Sequence, residues 1–165
     1  MFDFPNPVNE KAARAVAGGV AVLCVAILVL TPALGHAWLW LTVGLAYGFL
    51  ARVATGPTLS PLGQLATRVL APRLGSSRPV PGPPKRFAQA IGATLSVLAA
   101  ITGVGLGLDA VALVLVAMIL VAATLESVVG FCVGCWIFGH LMRVGVIPED
   151  TCAACNDVAA RLGTA

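Results

Sequence analysis

AVALVLVAMILVAATLESVVGF, residues 110–131, decides the fold. The run holds one ionisable side chain, Glu126, and matches the ~20 apolar residues that a helix needs to cross a bilayer core. Three further runs resemble it, at about 15–34, 36–53 and 87–107. The sequence therefore predicts an all-α integral membrane bundle of about four transmembrane helices.

Composition agrees with that expectation. The 165 residues are 59% hydrophobic and only 10% charged, too few polar groups to clothe a soluble domain of this size. Ten Lys and Arg stand against seven Asp and Glu, an excess too small to imply nucleic acid as a partner. The partner that composition does imply is membrane lipid. Asp3, Glu10, Lys11 and Arg14 precede the first run, and no small-residue cleavage site follows it, so it reads as a retained helix. Asn6-Pro7 is the expected helix start, with Asn6 as cap. Thr31-Pro32 and Gly35-His36 are expected to turn the chain, and Trp38 and Trp40 suit a membrane interface.

Residues 52–86 differ in kind. Arg52, Arg68, Arg73, Arg78, Lys85 and Arg86 supply six cations with no Asp or Glu, interspersed with seven prolines. This is the predicted basic loop. Leu62, Leu65, Ala66, Val69 and Leu70 recur within it at helical spacing, as expected of a short amphipathic helix on an anionic membrane surface. The positive-inside rule places that loop, and with it both termini, in the cytoplasm of a bacterial inner (plasma) membrane. Residues 1–145 then form a multi-pass transmembrane domain, and 146–165 a cytosolic tail.

Four of the five cysteines form the pattern CxxC-x16-CxxC: Cys132 and Cys135, then Cys152 and Cys155. Two chemistries use such a pattern. Four thiolates can close a tetrahedral zinc site, with Gly145 and Pro148 folding the chain back between the pairs. Alternatively, a CxxC can lower the pKa of one thiol, which attacks a disulfide or sulfane sulfur while the second thiol resolves the product. The expected cofactor is one Zn in the first case and none in the second. Cys24, in mid-span, reads as an inert apolar residue.

Glu126 is an ionisable group at membrane depth and therefore a functional candidate by default. On a straight helix it would share a stripe with His140, while Cys132 and Cys135 face elsewhere. A Glu126–His140 relay to the thiols would need a bend or a neighbouring helix. His140 is an alternative zinc ligand, but four cysteines already complete a closed site, and it reads more simply as an interfacial hydrogen-bonding residue. No phosphate-binding glycine loop, HExxH zinc helix or GxSxG elbow is present, which removes nucleotide hydrolysis, metalloproteolysis and serine hydrolysis.

Ala71-Pro-Arg-Leu-Gly75, Pro84-Lys-Arg-Phe-Ala-Gln89 and Gly130-Phe-Cys-Val-Gly-Cys135 occur in that order. Together they resemble an uncharacterised bacterial membrane family, well represented in actinobacteria, whose hallmark is GFCxGC. Members look like companions of thioredoxin-like and rhodanese-like sulfurtransferase proteins, and the layout is similar to the DoxX-type bundle. The resemblance implies thiol or sulfur handling by Cys132 and Cys135. Many members stop soon after the hallmark, so the second pair marks a subgroup and strengthens the metal reading.

Three functions are thus expected, in order. The first is thiol-redox or sulfur exchange with a thioredoxin-like or sulfurtransferase partner. The second is a non-enzymatic subunit of a larger membrane complex, with structural zinc on Cys132, Cys135, Cys152 and Cys155. The third is a carrier of a small sulfur compound, with Glu126 inside the bundle.

Overall fold

The computed structural model describes residues 6–73 and 79–152. Cys155 and most of the expected tail lie outside the described residues. Within them, four helices are long and apolar enough to cross a membrane: Glu10–Leu34, His36–Thr55, Gly82–Gly105 and Asp109–Val129.

In chain order, β1 (Val8–Asn9) leads into α1 (Glu10–Leu34). A tight turn, His36–Trp40, enters α2 (Leu41–Thr55). Next comes α3 (Pro61–Leu65), which passes through the widened turn Ala66–Leu70 into α4 (Ala71–Arg73). After β2 (Pro79–Val80), α5 (Gly82–Ala100) is prolonged by a widened turn to Gly105. In the same way α6 (Asp109–Thr124) is prolonged by Leu125–Val129, and α7 (Val133–Arg143) follows. β1 and β2 pair antiparallel, Val8 opposite Val80.

That small pairing moves the first cap. Because Val8–Asn9 is held extended, Asn9 rather than Asn6 caps α1, its Oδ1 accepting from the Lys11 amide at 3.0 Å. Asn6 accepts instead from the Gly82 amide at the start of α5. Pro32 lies inside α1, and the turn comes at Gly35, whose φ of 109° suits glycine. Two boundaries of the expected basic loop also shift. Arg52 belongs to α2, and α5 begins at Gly82 with prolines in its first turn, which takes Lys85 and Arg86 into the helix.

α5 is the hub. It packs on α2, α6 and α7, while α1 packs on α6. Small residues allow the approach: a Cβ at Gly92 would stand 2.2 Å from the Phe49 ring, and one at Gly103 would stand 2.9 Å from the Ala112 Cβ. Cys24, Ile27, Leu45 and Val116 fill the centre. The outward faces stay apolar, exposing Val22 and Val29 on α1 and Val114, Met118 and Val121 on α6. A helix bundle in water would carry polar residues there.

The expected amphipathic helix forms across α3 and α4, but its small residues face inward. Gly63, Ala66 and Ala71 are buried and Leu62 lies over Gly19, whereas Leu65, Val69 and Leu70 are exposed. At the opposite end of the bundle, His36 Nδ1 meets Asp109 Oδ1 at 2.9 Å, tying the α1–α2 turn to the start of α6.

Candidate functional site

The site is assembled where α6 breaks. Its last turn is widened, with the Gly130 amide bonding back to the Leu125 carbonyl, and Gly130 adopts φ +77°. Wide turns of this kind often mark functional positions. Arg14 of α1 holds the frayed end: Nε and Nη2 donate to the Ser127 carbonyl at 3.2 and 3.0 Å, and Nη2 to the Val128 carbonyl at 2.8 Å. A cation at the carbonyl end of a helix is favoured by the helix dipole.

Beyond Gly130 the chain turns, and Cys132 becomes the N-cap of α7. Its Sγ accepts from the Cys135 amide at 3.4 Å. Gly134 lies against the first turns of α5, where an added Cβ would stand 2.5 Å from the Ala88 Cβ. Both glycines of the GFCxGC element therefore have a geometric reason: Gly130 supplies the left-handed turn and Gly134 the close approach.

That approach brings the cysteines beside a buried ion pair. Lys85, one turn before Ala88 on α5, donates from Nζ to Glu126 Oε1 at 2.5 Å, with side-chain exposures of 10% and 14%. Ions this buried persist only when paired. Lys85 and Glu126 both act electrostatically on Cys132 and Cys135.

The two thiols differ in acidity. The S–H of Cys135 donates to Cys132 and holds the Cys132 thiol below its ordinary value, with Lys85 and the Cys135 amide helping, while burial and Glu126 oppose. Cys135 is pushed up, first because Cys132 accepts its proton and then by burial. One sulfur is thus disposed to be a thiolate and the other to keep its proton. A thiolate is the nucleophile of thiol exchange.

The other expected participants are placed differently. His140 is exposed and stacks on Trp136, ring centroids 5.5 Å apart, and no hydrogen bond joins it to Glu126 among the described residues. The bend at Gly130 breaks the stripe that a straight helix would have formed, and the partner of Glu126 is Lys85. Cys152 is engaged in a disulfide and buries with Phe138 and Met142, further along α7 from the cap. The structure thus brings Cys132, Cys135 and Glu126 together and leaves Cys152 and His140 elsewhere; the fourth expected zinc ligand, Cys155, lies outside the described residues.

Lys85 was readable only in part. Pro83-Pro84 is a helix-start signal that would have moved it out of the loop. Nothing in one sequence pairs it with Glu126, forty-one positions away. Arg52 and Gln89 were likewise overlooked: Arg52 is buried, donating from Nε to Gln89 Oε1 at 2.8 Å and from Nη1 to Ser60 Oγ at 3.1 Å, and lies 4.5 Å from the Phe49 ring centre.

No curated protein and no solved structure matches this chain. The model of a family described as a domain of unknown function, DUF4395, matches residues 8–143, from β1 to the end of α7, so that the bundle, the ion pair, Cys132 and Cys135 all fall inside it. This chain belongs to the DUF4395 family.

Proposed function

We propose that this chain is a multi-pass protein of the bacterial inner membrane, both ends cytoplasmic, whose Cys132 and Cys135 exchange electrons or sulfur with a thioredoxin-like or sulfurtransferase partner. One observation carries the reading: Cys132 caps α7 with its sulfur accepting from Cys135, beside the buried Lys85–Glu126 pair. The apolar outer faces support the membrane, and the basic segment between α2 and α5 supports the orientation.

In the exchange, the Cys132 thiolate attacks a disulfide sulfur of the partner, forming one S–S bond and releasing one partner thiolate. Cys135 then loses its proton and attacks Cys132, which releases the second partner thiolate. The products are a Cys132–Cys135 disulfide and a partner dithiol. With a persulfide donor, Cys132 takes the terminal sulfur instead and Cys135 discharges it as hydrosulfide.

Trapping tests this order of events. Cys135→Ser should accumulate a mixed disulfide with a thioredoxin-like protein presented in its oxidised form, and Cys132→Ser should not. Equal trapping by both variants, or by neither, rejects the assignment.

A further inference from the structure

A cavity opens at the end of the bundle that carries the basic segment, between the starts of α1 and α5, the end of α2, and α3. It encloses about 830 Å³, counting its open mouth, and about 260 Å³ of it admits water-sized molecules. A space beside Cys132 admits only about 100 Å³. Val8, Ala12 and Val16 contribute to walls that are mostly apolar, interrupted by Asn9, Thr67, Gln89, Arg52 and Lys85. No Asp or Glu is among the described residues of the lining. Size and lining suit a small organic ligand held by a few polar contacts.

Two of these polar groups offer donors whose own oxygens are already taken. Gln89 Oε1 accepts from Arg52 Nε at 2.8 Å, and because a guanidinium can only donate, Gln89 Nε2 is left for another partner. Asn9 Oδ1 accepts from the Lys11 and Ala12 amides, which leaves Nδ2 in the same position. Neither nitrogen has a partner among the described residues. Neither is sealed off, since the buried polar side-chain atoms without a partner there are Thr31 Oγ1 and Arg52 Nη2. The Thr67 hydroxyl is engaged, donating to the Gly63 carbonyl at 2.7 Å.

The charges are unbalanced as well. Arg52 is 5% exposed, and its two hydrogen bonds go to neutral groups, Gln89 and Ser60. Glu126 is the carboxylate that acts on it, but Glu126 is bonded to Lys85, and the cysteines bear on Lys85 rather than on Arg52. Two buried cations thus share one carboxylate among the described residues. A buried charge without a counterion is costly. An anion need not touch Arg52 to answer it, because the guanidinium polarises the Gln89 amide and strengthens Nε2 as a donor.

We infer that this cavity binds a monoanionic carboxylate with an apolar body, one oxygen accepting from Gln89 Nε2, with Asn9 Nδ2 as a second donor. One surplus cation matches one negative charge. A dianion such as phosphate would bury a further charge unmatched. The apolar walls take up the hydrocarbon part. The site is independent of thiol exchange, so either can fail alone. Two sources supply this chemistry, a short free acid in water and a fatty acid in the bilayer.

The experiment uses the full chain in nanodiscs of zwitterionic lipid. Hexanoate is titrated in by calorimetry, with hexanol as its uncharged counterpart. Oleate is offered in the lipid, and the oleate retained is counted by native mass spectrometry. The expected result is one acid per chain and no saturable binding of hexanol. A saturable hexanoate site assigns the ligand to the aqueous phase, and retention of oleate alone assigns it to the bilayer; both support the site. Gln89→Glu gives Arg52 a counterion of its own and should raise the dissociation constant, or lower oleate retention, at least tenfold. Should that variant fail to fold, Asn9→Asp carries the same expectation: it keeps a residue that caps α1 well but puts a negative oxygen where the unpaired nitrogen stood. Failure of the unmodified chain to bind either acid, hexanol binding as tight as that of hexanoate, or unchanged binding in the folded variant overturns the inference.

Discussion

Gly134 of α7 stands so close to Ala88 of α5 that a Cβ added to it would lie 2.6 Å from the Ala88 Cα. This contact carries the cap residue Cys132 to within the electrostatic reach of Lys85, one helical turn from Ala88. Gly134→Ala must push α7 off α5, because the obstructing atom is backbone. A loss of about 1–3 kcal/mol is expected from overpacking, together with a slower Cys132. Ala88→Gly should restore little, since the Cα remains. Thermal unfolding in detergent and the rate of Cys132 alkylation measure both effects; wild-type values for Gly134→Ala would refute the role given to this contact.

The Lys85–Glu126 pair should behave as a buried ion pair. Lys85→Met leaves a carboxylate without its cation, with a cost of about 3–5 kcal/mol. Lys85→Met with Glu126→Gln removes both charges and should be clearly more stable than Lys85→Met alone. A double variant as unstable as the sum of the singles would mean that the two residues act independently.

Thiol reactivity should depend on pH in two steps. Cys132 should alkylate with a midpoint below the ordinary thiol value of 9.0, and Cys135 with one above it. Cys135→Ala should raise the Cys132 midpoint by deleting its largest favourable contact. Glu126→Gln should lower it by removing an opposing charge. The sign for stability follows: a depressed thiol adds stability above the unfolded-state value, and that contribution is lost as pH falls through the folded-state value. Mass-resolved alkylation across pH separates the two sulfurs, and a Cys132 midpoint at or above that of Cys135 would reverse their roles.

Arg14 and Gly130 guard the break between α6 and α7. Arg14→Met frees the Ser127 and Val128 carbonyls, an expected loss of about 1.5–3 kcal/mol for charge-assisted bonds. Gly130→Ala puts a Cβ on a left-handed residue, at roughly 1–2 kcal/mol, and Gly130→Asn should cost less. Hydrogen exchange at residues 130–135 should rise in Arg14→Met; unchanged protection would show that other contacts hold the break.

Much of this was legible in the chain. The apolar runs announced four long helices, because helix length and hydropathy are local properties. The CxxC spacing of Cys132 and Cys135, and of Cys152 and Cys155, is likewise a local feature of the chain. The expected limits failed where local signals competed. Prolines 83 and 84 read as loop punctuation, yet in the first turn of a helix they fit without loss of a hydrogen bond. Lys85 followed them into the wrong element.

The sequence by itself determined the long apolar helices and the basic connection between the second and third of them, since each follows from neighbours in the chain. Tertiary structure alone decided who stands beside Cys132 and Cys135. The left-handed turn at Gly130 re-aims the chain, and the Gly134–Ala88 contact then sets the α7 cap against α5. Through these two contacts Lys85, Glu126 and Cys132, distant in sequence, become one site, and Arg52 is left with a buried donor facing no partner among the described residues. Pairing across such separations depends on how closely helices can approach, and that distance is set by small residues on two surfaces at once.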